Sequence, residues 1–260
     1  MDVTNNDPLL KLKDVSKSFH GLHAVKNYNL TLRTGEILGI IGPNGAGKST
    51  VFNLLSGHIR PTSGTIFFKD RDITHASPDQ IARIGIGRTF QNIRLFQSMT
   101  VIDNVKCSEQ LHEPEGLFSV MMSLSAFLKT EHKLSITSLE ALSLFKLEDR
   151  AYLPATSLPY GDQRRLEIVR ALALQPQILL LDEPTAGMNP KETTEVLDLI
   201  LRIHDDYHLT IIIVEHNMSL IMKLCTRIQV LNYGVTIAEG DPEKIRNDPR
   251  VIESYLGKTG

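Results

Sequence analysis

Tryptophan is absent from this chain, cysteine occurs only twice, and neither sign of charge is in clear excess. Each shortage removes a class of function. Cys107 and Cys225 stand too far apart for a local zinc motif, and two thiols in 260 residues need no disulfide framework, so a reducing cytoplasm is the simplest home. Lys and Arg number 28 against 30 for Asp and Glu, a net charge of −2, which leaves no global basic field to recruit nucleic acid or anionic lipid. No apolar run approaches the roughly 18 residues of a membrane-spanning helix. The opening Met1–Asp7 is polar and acidic, unlike a signal peptide, so a membrane role would run through a partner. Internal repeats, low-complexity tracts and heptad runs are also missing. What remains is a chain long enough to bury a sizeable core, as one large α/β domain or a core with one inserted subdomain.

Behind the apolar run Ile37-Leu38-Gly39-Ile40-Ile41 comes Gly42-Pro43-Asn44-Gly45-Ala46-Gly47-Lys48-Ser49-Thr50, a complete G-x-x-x-x-G-K-[ST] phosphate loop. Its glycines let successive backbone N–H groups turn toward a polyphosphate with no Cβ in the way. Lys48 is placed to reach the β- and γ-phosphates, and the Ser49 hydroxyl to ligate magnesium. A helix beginning near Gly47 points its positive end at the anion. Val51, Leu54 and Leu55 give that helix an apolar side, and Gly57 stops it. Strand, loop and helix together predict binding of a nucleoside triphosphate.

The remaining elements alternate in the manner of an α/β protein. Residues 10–32 and Thr65–Phe68 predict an antiparallel sheet flanking the nucleotide core. Ser77-Pro78-Asp79-Gln80 opens a short helix, Ile86–Phe90 returns as a strand, and Gln91 stands at its exit. Thr100-Val101-Ile102-Asp103 starts a mostly helical stretch, and 92–157 reads as an inserted helical subdomain. Beyond it lie strand 178–182, helix 190–204, strand 210–214, helix 217–225, strand 228–231 and strand 235–239, with a terminal helix starting at Asp241-Pro242-Glu243. This alternation predicts a largely parallel sheet. The division expected is a nucleotide-binding core with its β subdomain over 1–91 and 158–240, the helical subdomain over 92–157, and a helical tail over 241–260. The apolar stretch 116–128, with Met121, Met122 and Phe127, either packs within the helical subdomain or forms a groove for a helix of a membrane partner.

Ile178-Leu179-Leu180-Leu181-Asp182-Glu183 is a buried-strand pattern ending in two acids, at the carboxyl end where open α/β sheets place ligand-binding groups. Asp182 is expected to hold magnesium through water. One pleat step gives Glu183 a different direction, suited to a general base that polarises an attacking water. His216, just past Thr210–Glu215, ends the next strand and is expected to bond the γ-phosphate and order both the water and Glu183. A structural histidine is the bland alternative.

The ordered set of phosphate loop, Gln91, Leu158-Pro159-Tyr160-Gly161-Asp162-Gln163-Arg164-Arg165, Leu181-Asp182-Glu183-Pro184-Thr185 and His216 resembles the ATP-binding subunits of ABC transporters over essentially the whole chain. Arg88–Phe96, Ala186–Thr193 and Val251–Gly257 are similar, more narrowly, to the ATPases of branched-chain amino acid importers. The resemblance implies a P-loop ABC ATPase fold with flanking antiparallel and helical subdomains, and an ATP hydrolase using ATP and Mg²⁺ at the cytoplasmic face of the membrane. It also implies a head-to-tail dimer with a second ATP-binding subunit, two multispanning permease subunits and, indirectly, an extracytoplasmic solute-binding protein. Tyr160, Gly161 and Asp162, ahead of a helix carrying Arg164, Arg165 and Arg170, would face the partner's nucleotide. Ala186–Asn189 would cross between the two sites, and Gln91 would sense magnesium and water. Phe19 matches the position that stacks on adenine, a core strand phenylalanine being the alternative. Two rival readings are the ATPase of a lipid or lipopolysaccharide exporter and a non-transport ABC ATPase of DNA maintenance or translation. The single cassette, the near-neutral charge and the lack of a zinc insert stand against the second.

One departure from the family pattern carries an expectation. Where the family has Leu-Ser-Gly-Gly-Gln, this chain has Leu158-Pro159-Tyr160-Gly161-Asp162, so a serine hydroxyl is missing and an acid is added near an anion site. The partner's site is therefore expected to be the weaker one unless the partner compensates. Pro159→Ser should raise ATPase activity of the assembled complex, and unchanged turnover would remove the defect.

Overall fold

The computed structural model describes residues 7–110 and 124–256, with the side chains of 124–130 and of residue 256 left out. Residues 116–123 of the apolar stretch, Met121 and Met122 included, lie outside the described residues, as does the Phe127 side chain. Among the rest, 7–88, 177–183 and 200–256 form one compact unit, and 89–110, 124–176 and 184–199 form a second.

The first unit contains two sheets. Strands β1 (Leu10–Phe19), β2 (Leu22–Leu32), β4 (Ser63–Phe68) and β5 (Arg71–Asp72) pair antiparallel in the order β2-β1-β4-β5. The alternation in β2 explains its place: Val25, Tyr28, Leu30 and Leu32 are buried while Asn29 and Thr31 face water. The larger sheet has the order β10-β9-β3-β8-β7-β6, from β3 (Ile37–Ile41), β6 (Ile86–Arg88), β7 (Ile178–Asp182), β8 (Thr210–Val214), β9 (Arg227–Asn232) and β10 (Val235–Gly240). All its pairings are parallel except β9 with β10. Every residue of β3, β7 and β8 is buried, as expected of strands covered on both faces, which read as continuous aliphatic runs rather than alternating ones. Helices α1 (Lys48–Leu55) and α2 (Pro78–Arg83) belong to the same unit.

In the second unit α3 (Val101–Glu109), α4 (Leu124–Leu144) and α5 (Tyr160–Leu172) pack on one another. Thr100 caps α3 by accepting from the Asp103 N–H. Helix α6 (Pro190–Tyr207) begins in the second unit and continues in the first. The chain closes with α7 (Met218–Leu224), α8 (Pro242–Arg246) and α9 (Pro249–Leu256).

Several boundaries differ from the sequence reading, three of them with a structural consequence. The strand expected over 86–90 ends at Arg88, and the helix expected to stop at 204 runs on to Tyr207. The single terminal helix is two helices, because Pro249 has no N–H to continue α8 and biases Asp248 away from helical backbone.

The two sheets of the first unit are joined by a buried polar link. The Tyr28 hydroxyl of β2 donates to Gln229 Oε1 of β9 at 2.5 Å, and Gln229 Nε2 donates to the Asn29 carbonyl and to Glu239. Burial first, and the Glu239 charge second, hold the Tyr28 phenol well above the usual tyrosine range, so it stays a donor. Tyr28→Phe strands the Gln229 acceptor and should lower the unfolding free energy by about 1–2 kcal/mol, as measured by urea denaturation.

Candidate functional site

The parallel register brings strand ends together. Ile40 pairs with Val214, and Val214 with Asp182, so the loops after β3, β7 and β8 leave the sheet on one edge. Between β3 and α1 the phosphate loop is pressed against other backbone. Gly42, at φ +149°, lies against the Leu231 carbonyl, where a Cβ would collide. Gly47, at φ +108°, would put a Cβ 2.6 Å from the Ala24 carbonyl oxygen. The Gly234 N–H donates to the Ala46 carbonyl at 2.9 Å, which pins the loop to the β9–β10 turn. Pro43, Asn44, Gly45 and Ala46 form one wall of an open cavity of about 520 Å³.

Lys48 is buried, and its Nζ donates to the Gly42 carbonyl at 2.7 Å and the Pro43 carbonyl at 3.0 Å. The cation is thus folded back over the loop. Desolvation pulls its pKa below the usual lysine value, and the nearby Glu183 and Asp182 charges push the other way. Ser49 is exposed and Thr50 half-buried on the first turn of α1.

Asp182 ends β7 almost wholly buried, paired with Arg88 at 3.0 Å. Glu183 follows in a left-handed conformation, φ +49°, its N–H bonded to the Val214 carbonyl at 2.9 Å. Its direction therefore comes from a strained turn beyond the strand and not from a pleat step, and such outliers concentrate where function over-determines the backbone. Glu183 Oε1 lies 2.6 Å from His216 Nε2. The carboxylate is mostly sheltered and the imidazole half exposed. Phe19, at the end of β1, is 43 % exposed with the Lys17 ammonium 5.0 Å from its ring centroid, so it is an open surface ring rather than a core residue.

The second unit holds the other candidates. Gln91 is exposed, and its carbonyl, with that of Phe90, accepts from the Arg164 guanidinium. Glu167 accepts from the Phe90 and Arg94 N–H groups, both at 3.3 Å, and burial lifts its pKa above the ordinary range. Arg164, which the sequence reading named only as carried by the signature helix, is thus turned inward onto the segment around Gln91. Asp162 is paired with Arg150 and lies 3.8 Å from Arg165, so its charge is offset at the helix start. Tyr160 is exposed at the start of α5, and a Cβ on Gly187, at φ +76°, would come 2.9 Å from the Tyr160 ring. Gly161 is buried beside Glu192, which caps α6 by accepting from the Asn189 N–H at 3.0 Å.

Sequence reasoning assigned no role to Arg88, which it read only as the middle of the strand expected over 86–90 and as the first residue of the family-like stretch Arg88–Phe96. It also gave no part to the contact between Tyr160 and Gly187, which are distant in sequence.

Residues 25–186 match the family model described as ABC transporter, and residues 235–259 match the model described as branched-chain amino acid ATP-binding cassette transporter. The chain is 46 % identical over 253 residues to the high-affinity branched-chain amino acid transport ATP-binding protein LivG of Salmonella typhimurium, covering 97 % of this chain and 99 % of that one. It superposes on the ADP conformation of MJ1267, an ATP-binding cassette of an ABC transporter, with TM-score 0.83 and 28 % identity, covering 96 % and 99 % of the two chains. The dimeric post-hydrolysis state of the cassette MJ0796 bound to ADP and Pi aligns with TM-score 0.77 and 28 % identity, covering 90 % and 98 %.

Gly42 is the position least able to accept a side chain. Gly42→Ala, strained by about 1–3 kcal/mol before its clash is counted, should weaken binding of a fluorescent ATP analogue by about tenfold or more. Affinity equal to wild type would show that the loop tolerates a different path.

Proposed function

This chain belongs to the ABC transporter family, and from that premise we propose that it is the ATP-hydrolysing subunit of an importer of branched-chain or related small amino acids. The observation that carries the reading is the Glu183–His216 pair at 2.6 Å, at the ends of β7 and β8, with the Lys48 cation close enough to feel the Glu183 charge. The LivG relative and the tail match over residues 235–259 support the cargo class.

In this reading the backbone N–H groups from Gly42 to Thr50 cradle the polyphosphate, and Lys48 exchanges its two carbonyl partners for phosphate oxygens. The donors fit magnesium: Ser49 offers a hydroxyl and Asp182 a carboxylate, while no trio of His, Cys, Asp or Glu forms a metal cage among the described residues. Gln91 joins that set by family position. Held by these residues, magnesium would supply neutralisation of the charge on the transferring phosphoryl group. Glu183 accepts the proton of the attacking water, and His216 holds that carboxylate in place. Phe19 offers its open face to the adenine. Tyr160, Gly161 and Asp162 face the nucleotide of a second cassette in a head-to-tail dimer; that the MJ0796 cassette is dimeric supports a dimer. Ligand contacting both chains only when closed drives closure, and hydrolysis releases it.

Two multispanning permease subunits complete the assembly at the cytoplasmic face of the membrane, with a solute-binding protein beyond them. Among the described residues no helix is long and apolar enough to cross a membrane. Within the cassette, 92–157 acts as the helical insertion and 241–260 as the tail.

Glu183→Gln should keep ATP binding within about twofold of wild type and lose about a hundredfold or more of phosphate release in the assembled complex. His216→Ala should lose less, since it removes the orienting partner and leaves the base. Normal turnover in the Glu183 variant would refute the general-base role.

A further inference from the structure

Arg88 joins the two halves of the phosphate site from behind. Its Nη1 donates to Asn53 Oδ1 at 2.8 Å and to Ser56 Oγ at 2.6 Å, and its Nη2 donates to Asp182 Oδ2 at 3.0 Å. The guanidinium also sits 5.7 Å from the Phe52 ring centroid, and both members of the Arg88–Asp182 pair are nearly buried. Asn53 lies in the last turn of α1 and Ser56 is its C-cap. One planar cation therefore bonds the far end of the phosphate-loop helix and the carboxylate that ends β7.

We propose that Arg88 is a positioning residue that fixes the Asp182 carboxylate, relative to the phosphate-loop helix, in the orientation a divalent cation needs. The inference rests on the ATPase reading above, in which Asp182 holds magnesium through water. Magnesium demands near-ideal octahedral geometry and keeps several waters, so a carboxylate that holds its water shell serves it poorly when free to rotate about its side-chain torsions. The rigid fork of arginine can hold three acceptors in one plane, which the single ammonium of lysine on its flexible stem cannot reproduce. Outer partners of metal ligands typically govern affinity by about ten- to a hundredfold. The alternative is a guanidinium that merely competes with the cation for Asp182, and it predicts the opposite sign.

The test is equilibrium binding of a fluorescent ATP analogue to the purified full chain, with excess Mg²⁺ and with EDTA, for wild type, Arg88→Lys, Arg88→Met and Ser56→Ala. The tightening that Mg²⁺ produces in wild type should fall about tenfold in both Arg88 variants and less in Ser56→Ala, with EDTA affinities staying within about twofold. Equal losses with and without Mg²⁺ would reduce Arg88 to a support of the loop, and tighter Mg²⁺-dependent binding would make it a competitor; either overturns the proposal. Should circular dichroism show the Arg88 variants unfolded, Ser56→Ala decides, and unchanged Mg²⁺ tightening there also overturns it. A wild-type chain whose nucleotide affinity ignores Mg²⁺ sinks the ATPase reading itself, a result distinct from wild-type dependence retained by the variants.

Discussion

Parallel strands ending in register are the constraint on which the first unit's chemistry depends. Ile37 opposite Ile211, and Thr210 opposite Ile178, fix where each strand stops. A slip of one residue would turn every side chain to the other face, and strands buried on both faces leave no polar position within them to absorb the error. Polar groups are therefore confined to the ends. Asp182 is the last residue of β7, Glu183 the first beyond it, and His216 stands two residues after β8. The side-chain bond between Glu183 and His216 is a consequence of that alignment, reinforced by the Glu183 N–H on the Val214 carbonyl.

Charge in this region is balanced by neighbours more than by solvent. Lys48 and Arg88 face Asp182 and Glu183 within one sheltered corner, and both cations are also bonded to neutral oxygens. Burial is the largest influence on Lys48 and works against its charge. An arriving polyanion supplies the strong acceptors that two backbone carbonyls replace only in part, so the loop is arranged to favour exchange of partners over a locked ion pair. Arg88, whose anchors Asn53 and Ser56 lie at the far end of α1 from the loop, keeps its partners.

The parts legible in the sequence were those whose chemistry is local. The phosphate loop is nine consecutive residues between an apolar run and a helix, and its glycines point directly to backbone that other residues cannot follow. Buried parallel strands announce themselves as aliphatic runs, and the acids at the end of β7 are read at once. The rest depends on partners far along the chain. Arg88 meets Asn53 and Asp182, Arg164 meets Gln91, and Asp162 meets Arg150, and no periodicity encodes such pairings. Glu183 was expected to take its direction from the pleat, and only the backbone shows the left-handed turn that sets it. Helix ends failed for a similar reason, because the break at Pro249 was hidden inside a pattern that otherwise continued.

The signature segment shows how such long-range partners change a functional argument. Read alone, Pro159 and Asp162 look like two injuries to an anion site. Pro159 occupies the N-cap of α5, where its missing N–H lies outside the helix, and its carbonyl accepts from the Asp162 and Gln163 N–H groups at 3.0 Å each. The helix start is thus intact, and proline removes no donor from its first turn. The charge of the added acid is offset by Arg150 and Arg165, and among the described residues no neighbouring group replaces the absent serine hydroxyl. Tyr160 meanwhile brings a contact that a glycine in its place would lack, packing against Gly187 of the segment Ala186–Asn189. The segment thus trades one polar contact for a packed neighbour, and the expected weakness of the partner site then rests on the absent hydroxyl rather than on the helix start or the added charge.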